Sequence, residues 1–152
     1  PEGDMYGRFV GEWDFEWVSN KGTPEERRAR GEWLFSWILE GRAIQDLFIC
    51  PSREERRRGS PHEGEYGTSI RTYNAASGKW DIYYTEGKNS YRLEGEAGEG
   101  DSIVQRASDE KYTAVWTFSD ISDDSFRWEN RVSEDGGKTW TLVGSFTAAR
   151  RK

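Results

Sequence analysis

Gly11-Glu12-Trp13-Asp14-Phe15-Glu16-Trp17 places an aromatic ring on every second residue and a carboxylate at each position between them. Side chains alternate between faces only in an extended chain, so this stretch predicts a strand with one aromatic and one charged face. Gly31-Glu32-Trp33-Leu34-Phe35-Ser36-Trp37 echoes it twenty residues later. A buried ring is worth roughly 2–3 kcal/mol, and only when it leaves water, so such strands must close against others. In the second copy Leu34 and Ile38 put apolar groups on the opposite face as well, which predicts a cover there, either a helix over the wall or a dimer contact.

Outward from these copies the chain reads as short strands with turn residues between them. The first strand spans about residues 10–18 and turns through Ser19-Asn20-Lys21-Gly22; the second spans 31–39 and the third 42–50. Seven more follow at 66–73, 79–86, 90–96, 102–107, 112–118, 125–132 and 139–147, with no amphipathic helix longer than two turns. The longest connection, 51–65, carries Arg53-Glu54-Glu55-Arg56-Arg57-Arg58 and reads as a solvated mobile loop placed to gate a barrel mouth. The pattern predicts an all-β fold, a single antiparallel up-and-down barrel of about ten strands, in one domain over 1–152 with a short N-terminal cap.

Composition narrows the function. With 34% hydrophobic and 33% charged residues the chain would read as disordered, were its aromatic share not 14% with eight Trp. A net charge of −6 argues against nucleic-acid and anionic-membrane partners, which need a basic face. No apolar run has the length of a membrane span, and no basic segment followed by an apolar one marks a signal peptide, so a cytoplasmic location is expected. Cys50 is the only cysteine, fits a reducing compartment, and ends the apolar run Leu47-Phe48-Ile49, which predicts a buried inert thiol. His62 is the only histidine and lies among Gly, Ser and Pro, which argues against a Ser-His-Asp or Cys-His arrangement and against histidine-held zinc or haem. The acidic clusters lack calcium-loop spacing, so neither metal nor cofactor is expected.

Gly11-Glu12-Trp13, at the entry of the first strand, resembles the Gly-x-Trp signature of lipocalins and the wider calycin superfamily. The resemblance implies that Trp13 seals the closed end of a barrel and packs against an Arg near the end of the last strand, Arg150 or Arg151. The segment 31–46, with Ile38-Leu39-Glu40-Gly41-Arg42, is similar to small uncharacterised bacterial lipocalin-like proteins. The chain departs from secreted lipocalins in lacking a disulfide, and from haem-binding nitrobindin-like barrels in offering no strand histidine. Ser133-Glu134-Asp135-Gly136-Gly137-Lys138-Thr139-Trp140 matches the Asp-box of sialidases, whose physical content is a capped hairpin turn. A propeller repeats that box, and a single copy predicts only a stable hairpin between the last two strands.

With the aromatic parity turned inward, the interior should hold Trp13, Phe15, Trp17, Trp33, Phe35 and Trp37 from the first two strands. Ile70, Trp80, Ile82, Tyr84, Tyr91 and Leu93 should follow, then Trp116, Phe118, Trp128, Asn130, Trp140, Leu142 and Phe146. Either the rings fill this space or they enclose a cavity. Gln45 and Asp46 are adjacent in an apolar strand, so one of them faces inward; Tyr83 and Tyr84 pose the same choice, and Arg131 is a further polar candidate.

The first hypothesis is a barrel that binds a small hydrophobic or aromatic molecule through Trp17, Trp33, Trp37, Arg71, Tyr84, Arg92, Trp116, Trp128 and Asn130. The second is a cofactor-independent enzyme of cyclase, isomerase or lyase type, with Asp46 or Glu86 as acid or base and Tyr84 steadying developing oxyanion charge. A third is an interaction protein with a ring-filled core that works through its outer wall, with room for a homodimer. An Arg beside a carboxylate reads as a structural ion pair, and that reading is favoured for Arg71, Arg92 and Arg131.

Overall fold

A computed structural model of the chain describes residues 4–59, 64–108 and 112–152, so His62 lies outside the described residues. After a short cap helix, α1 (Asp4–Gly7), come β1 (Gly11–Ser19), β2 (Arg27–Ile38) and β3 (Ala43–Cys50). A second helix, α2 (Arg53–Arg57), precedes β4 (Glu65–Asn74), β5 (Lys79–Thr85), β6 (Ser90–Ala97) and β7 (Ile103–Ser108). The last three strands are β8 (Thr113–Ser119), β9 (Ser125–Ser133) and β10 (Thr141–Arg150). Each strand pairs antiparallel with its neighbours in sequence and β1 pairs with β10, which gives a closed ten-stranded meander barrel. No edge is left unpaired. Among the described residues no helix is long and apolar enough to cross a membrane.

The barrel is sealed at one end by α1. Tyr6 and Phe9 are fully buried, with the Phe9 ring 4.8 Å from that of Phe118 and 5.1 Å from that of Phe126. Trp13 donates its indole N–H to the Phe9 carbonyl at 2.8 Å, tying the first strand to the cap. Of the two arginines the Gly-x-Trp resemblance offers, Arg150 covers Trp13, while Arg151 lies on the outer wall with Glu12, Asp14 and Glu32.

The inward parity holds for most of the rings and fails at Ile70, Leu142 and Trp140, while Trp37 keeps its parity opposite the buried Ile44 and is exposed only by its place at the barrel end. Ile70 faces outward, because β4 turns Gly67, Ser69 and Arg71 inward, where Asp46 and Gln105 meet the guanidinium. Leu142 is 43% exposed because an irregularity between Leu142 and Gly144 shifts the register against β9, so Leu142 lies opposite the outward Arg131. Trp140 precedes β10 in the hairpin and is exposed. Trp37 is 45% exposed at the capped end, against Gly7 of α1.

The charge run after β3 is helix rather than loop. Ser52 caps it by accepting the Glu55 N–H at 3.3 Å, and Arg53 clamps the buried Glu32 of β2 through its guanidinium and its backbone N–H. The cover over β2 therefore rests on Glu32, and Leu34 and Ile38 stay half-buried. The Asp-box forms the hairpin its sequence predicts, with Asp135 accepting from the Lys138 and Thr139 N–H groups and Ser133 from that of Gly137. The Thr139 hydroxyl, with the Thr139 N–H, the Ser133 hydroxyl and the Lys138 N–H, holds the exposed Asp135 carboxyl at about 2.

Candidate functional site

The uncapped end opens into a cleft of about 910 Å³, and below it lies an interior cavity of about 70 Å³. Trp17, Phe48, Glu65 and Tyr91 line both spaces, so cleft and cavity share a wall. The rest of the cavity wall comes from Trp33, Trp116, Trp128 and Tyr84, with Asp46, Ser69 and Asn130 as its polar members. The rings hold one another at skewed angles: the Trp128 ring is 5.9 Å from that of Trp116 and 6.0 Å from that of Trp33. Trp17 lies over Gly144 of β10, where any β-carbon would overlap the indole.

Four polar atoms around the cavity have no hydrogen-bond partner: the indole nitrogens of Trp33 and Trp128, Asp46 Oδ1 and Asn130 Oδ1. Asp46 is the inward member of its pair, 1% exposed, while Gln45 faces out and donates to Thr68. Its other oxygen is taken by Arg71, which also donates to Gln105 Oε1 at 3.1 Å, and Tyr6 donates to the same Gln105 oxygen at 3.0 Å. Arg71 is fully buried beneath the cavity and does not line it; its charge is held by Asp46 and by the faces of Tyr6 and Phe35.

Glu65 and Tyr84 form the second polar pair, in which the phenol donates to the carboxylate. Tyr84 reaches that position by crossing Gly67, where a β-carbon would overlap its ring. Burial, with the charge of Glu86 adding, raises the Glu65 carboxyl above its ordinary value. Burial, with Glu65 adding, pushes the Tyr91 phenol up to about 12, so it presents a neutral hydroxyl. The Cys50 thiol at the cleft wall is likewise pushed up to about 12, chiefly by burial, and is no nucleophile at neutral pH.

The expected site residues therefore divide. Trp17, Trp33, Tyr84, Trp116, Trp128, Asn130 and Asp46 surround one cavity. Glu86 stands at the rim, its carboxylate accepting the backbone N–H groups of Lys88 and Asn89. Arg92 lies on the outer wall, paired with Asp81 and Glu94, because Tyr91 and Leu93 take the inward side of β6. Arg131 is also outside, paired with Glu129, and Tyr83 is 52% exposed. Phe48, Glu65 and Ser69 are absent from the sequence expectation. Glu65 shares the parity of Gly67, Ser69, Arg71 and Tyr73, but Tyr66 and Ile70 put an aromatic and an apolar residue on the opposite parity, so hydropathy alone does not mark which side is inner.

A separate groove of about 770 Å³ runs on the outer wall beside α2, where Glu32 is already neutralised by Arg53 and Arg151. Those guanidiniums hold the Glu32 carboxyl at about 2.

No protein-family model matches the chain, and no curated protein does. Among solved structures, the S-type phycobiliprotein lyase CPES from Guillardia theta superposes with a TM-score of 0.64 at 14% identity, covering 99% of this chain and 95% of that one. Rv2717c from M. tuberculosis superposes with a TM-score of 0.62 at 11% identity, covering 100% of this chain and 98% of that one. At such identities the likeness is one of fold, and the fold is the lipocalin-like ten-stranded barrel.

Proposed function

We propose that this chain is a single-domain cytoplasmic barrel that binds a small hydrophobic or aromatic molecule through its open end. The apolar body of the ligand lies in the cleft against Trp17, Phe48 and Tyr91, and its polar end enters the cavity. The observation that carries this reading is that four residues bearing unpartnered buried polar atoms line one void. Buried polar groups are nearly always hydrogen-bonded, and leaving each unmade costs about 1–3 kcal/mol, so such a cluster is built for a visitor. The two volumes receive different parts of the ligand, since the cleft is of ligand size, about 300–1,000 Å³, whereas the cavity admits a polar tip equal to about two waters. The fold neighbour named a phycobiliprotein lyase supports small-molecule work on this scaffold by analogy of fold alone.

Native mass spectrometry of the protein as purified, against the same sample denatured, tests the reading. A single extra mass per barrel, lost on unfolding and less occupied in Asn130→Leu, is the expected result. A bare mass together with no saturable one-to-one binding of the neutral probe N-phenyl-1-naphthylamine overturns it.

A further inference from the structure

Glu65 is the one carboxylate that lines both the cleft and the cavity, and no cation answers it among the described residues. Its carboxylate takes a hydrogen bond from Tyr84, and the charge that acts on it is the like charge of Glu86. The nearby guanidiniums are engaged elsewhere. Arg28 is bound to Glu16 at 2.7 Å and to Glu26 at 3.3 Å, and Arg56 is spent on the carbonyls of Cys50, Pro51 and Glu65. Arg27 is exposed at the rim and donates to the Glu26 carbonyl.

Beside Glu65 the cavity wall carries two unpartnered acceptors, together with the unpartnered indole N–H groups of Trp33 and Trp128. Asp46 Oδ1, on a residue 1% exposed, and Asn130 Oδ1 both lack a donor. Because Arg71 already balances Asp46, the uncompensated charge in this space is that of Glu65, reinforced at the rim by Glu86. Around it stand the rings of Trp17, Trp116 and Trp128, whose π-systems attract cations.

Resting on the binding reading above, we propose that the ligand class is an amine, a protonated nitrogen carried on an aromatic or apolar body. An ammonium brings up to three N–H donors and a positive charge, and the space beside Glu65 offers orphan acceptors, an unanswered carboxylate and indole faces. An anionic ligand would meet Glu65 with no guanidinium lining the cavity, while at the cleft rim Glu86 stands with Arg27 and Arg28.

Three probes sharing one ring separate the possibilities by calorimetry at neutral pH: tryptamine, 3-methylindole and indole-3-propionate. Tryptamine is expected to bind one to one at least tenfold more tightly than 3-methylindole, with indole-3-propionate the weakest. Glu65→Gln keeps the Tyr84 hydrogen bond and should bring tryptamine down to the level at which the same variant binds 3-methylindole, with a cooperative thermal melt as the check on folding. Equal affinities, or a preference for the anion, overturn the amine assignment and leave the binding reading standing. Failure of all three to bind, in a protein whose native mass is also bare, removes both.

Discussion

The Arg150 guanidinium lies 4.3 Å from the centroid of the Trp13 ring and donates to the carbonyls of Val10 and Arg8, each at 2.8 Å. One side chain of the last strand thus holds the first strand, the entry to the cap and the seal of the barrel. Arg150→Ala is expected to cost about 2–4 kcal/mol, from the lost charge-assisted bonds and the cation–π contact. Arg150→Lys should recover only part, since an ammonium cannot both span the ring and reach two carbonyls. Urea unfolding midpoints at constant slope measure both.

The buried pair of Asp46 and Arg71 predicts strong non-additivity. Removing one partner leaves a charge in the core, so Asp46→Asn or Arg71→Met alone should cost about 3–5 kcal/mol. The double variant should cost clearly less than the sum of the two. A double-mutant cycle in urea reads the coupling, and simple additivity would mean the pair is not formed.

Gly67→Ala tests the crossing of Tyr84 over β4. The added methyl overlaps the ring, so a loss of about 1–3 kcal/mol is expected, with Tyr84 displaced from Glu65. Tyr84→Leu in the same chain should relieve part of the loss. Thermal unfolding of the single and double variants decides it.

Two carboxylates should give opposite pH signatures. Glu32 is held at about 2 against an ordinary 4.5, so the unfolded chain binds more protons between these values. Its stabilisation is present above pH 4.5 and is lost as the pH falls toward 2, and Glu32→Gln should flatten that decline. Glu65 is raised above 4.5, so its ionisation costs stability at neutral pH. Glu65→Gln should therefore raise the melting temperature at pH 7, and the gain should fade as the pH drops below 4.5, where the carboxyl is neutral folded or unfolded. Melting curves across this range check both signs.

The alternation at Trp13, Phe15 and Trp17 was enough to fix the inner face of β1, because rings and carboxylates cannot exchange sides of a barrel wall. The ten-strand count, the antiparallel order and the cap follow from the same periodicity and the turn residues between strands. Legibility ends where a long-range partner overrides hydropathy. Arg71 points inward because Asp46, Gln105 and Tyr6 wait there, and Ile70 yields its place. The register shift before Gly144 reverses Leu142 without any local signal strong enough to place it. The helix in the charge run depends on Glu32, twenty-one residues upstream of Arg53. Glu65 was hidden for a related reason: its role arises from Tyr84 and from a cleft assembled by several strands.

The clustering of indoles around the cavity has an optical consequence. Trp128 lies 6.0 Å from Trp17, 5.9 Å from Trp116 and 6.0 Å from Trp33, with interplanar angles of 46°, 59° and 88°. Chromophores this close and this skewed share their excited states, so the four absorb as a chiral assembly and pass excitation among themselves. A molecule that quenches any one of them darkens the whole set, and one that tilts a single ring alters the circular dichroism of the group. The protein therefore carries its own reporter, and occupancy of the barrel is readable by light without a label.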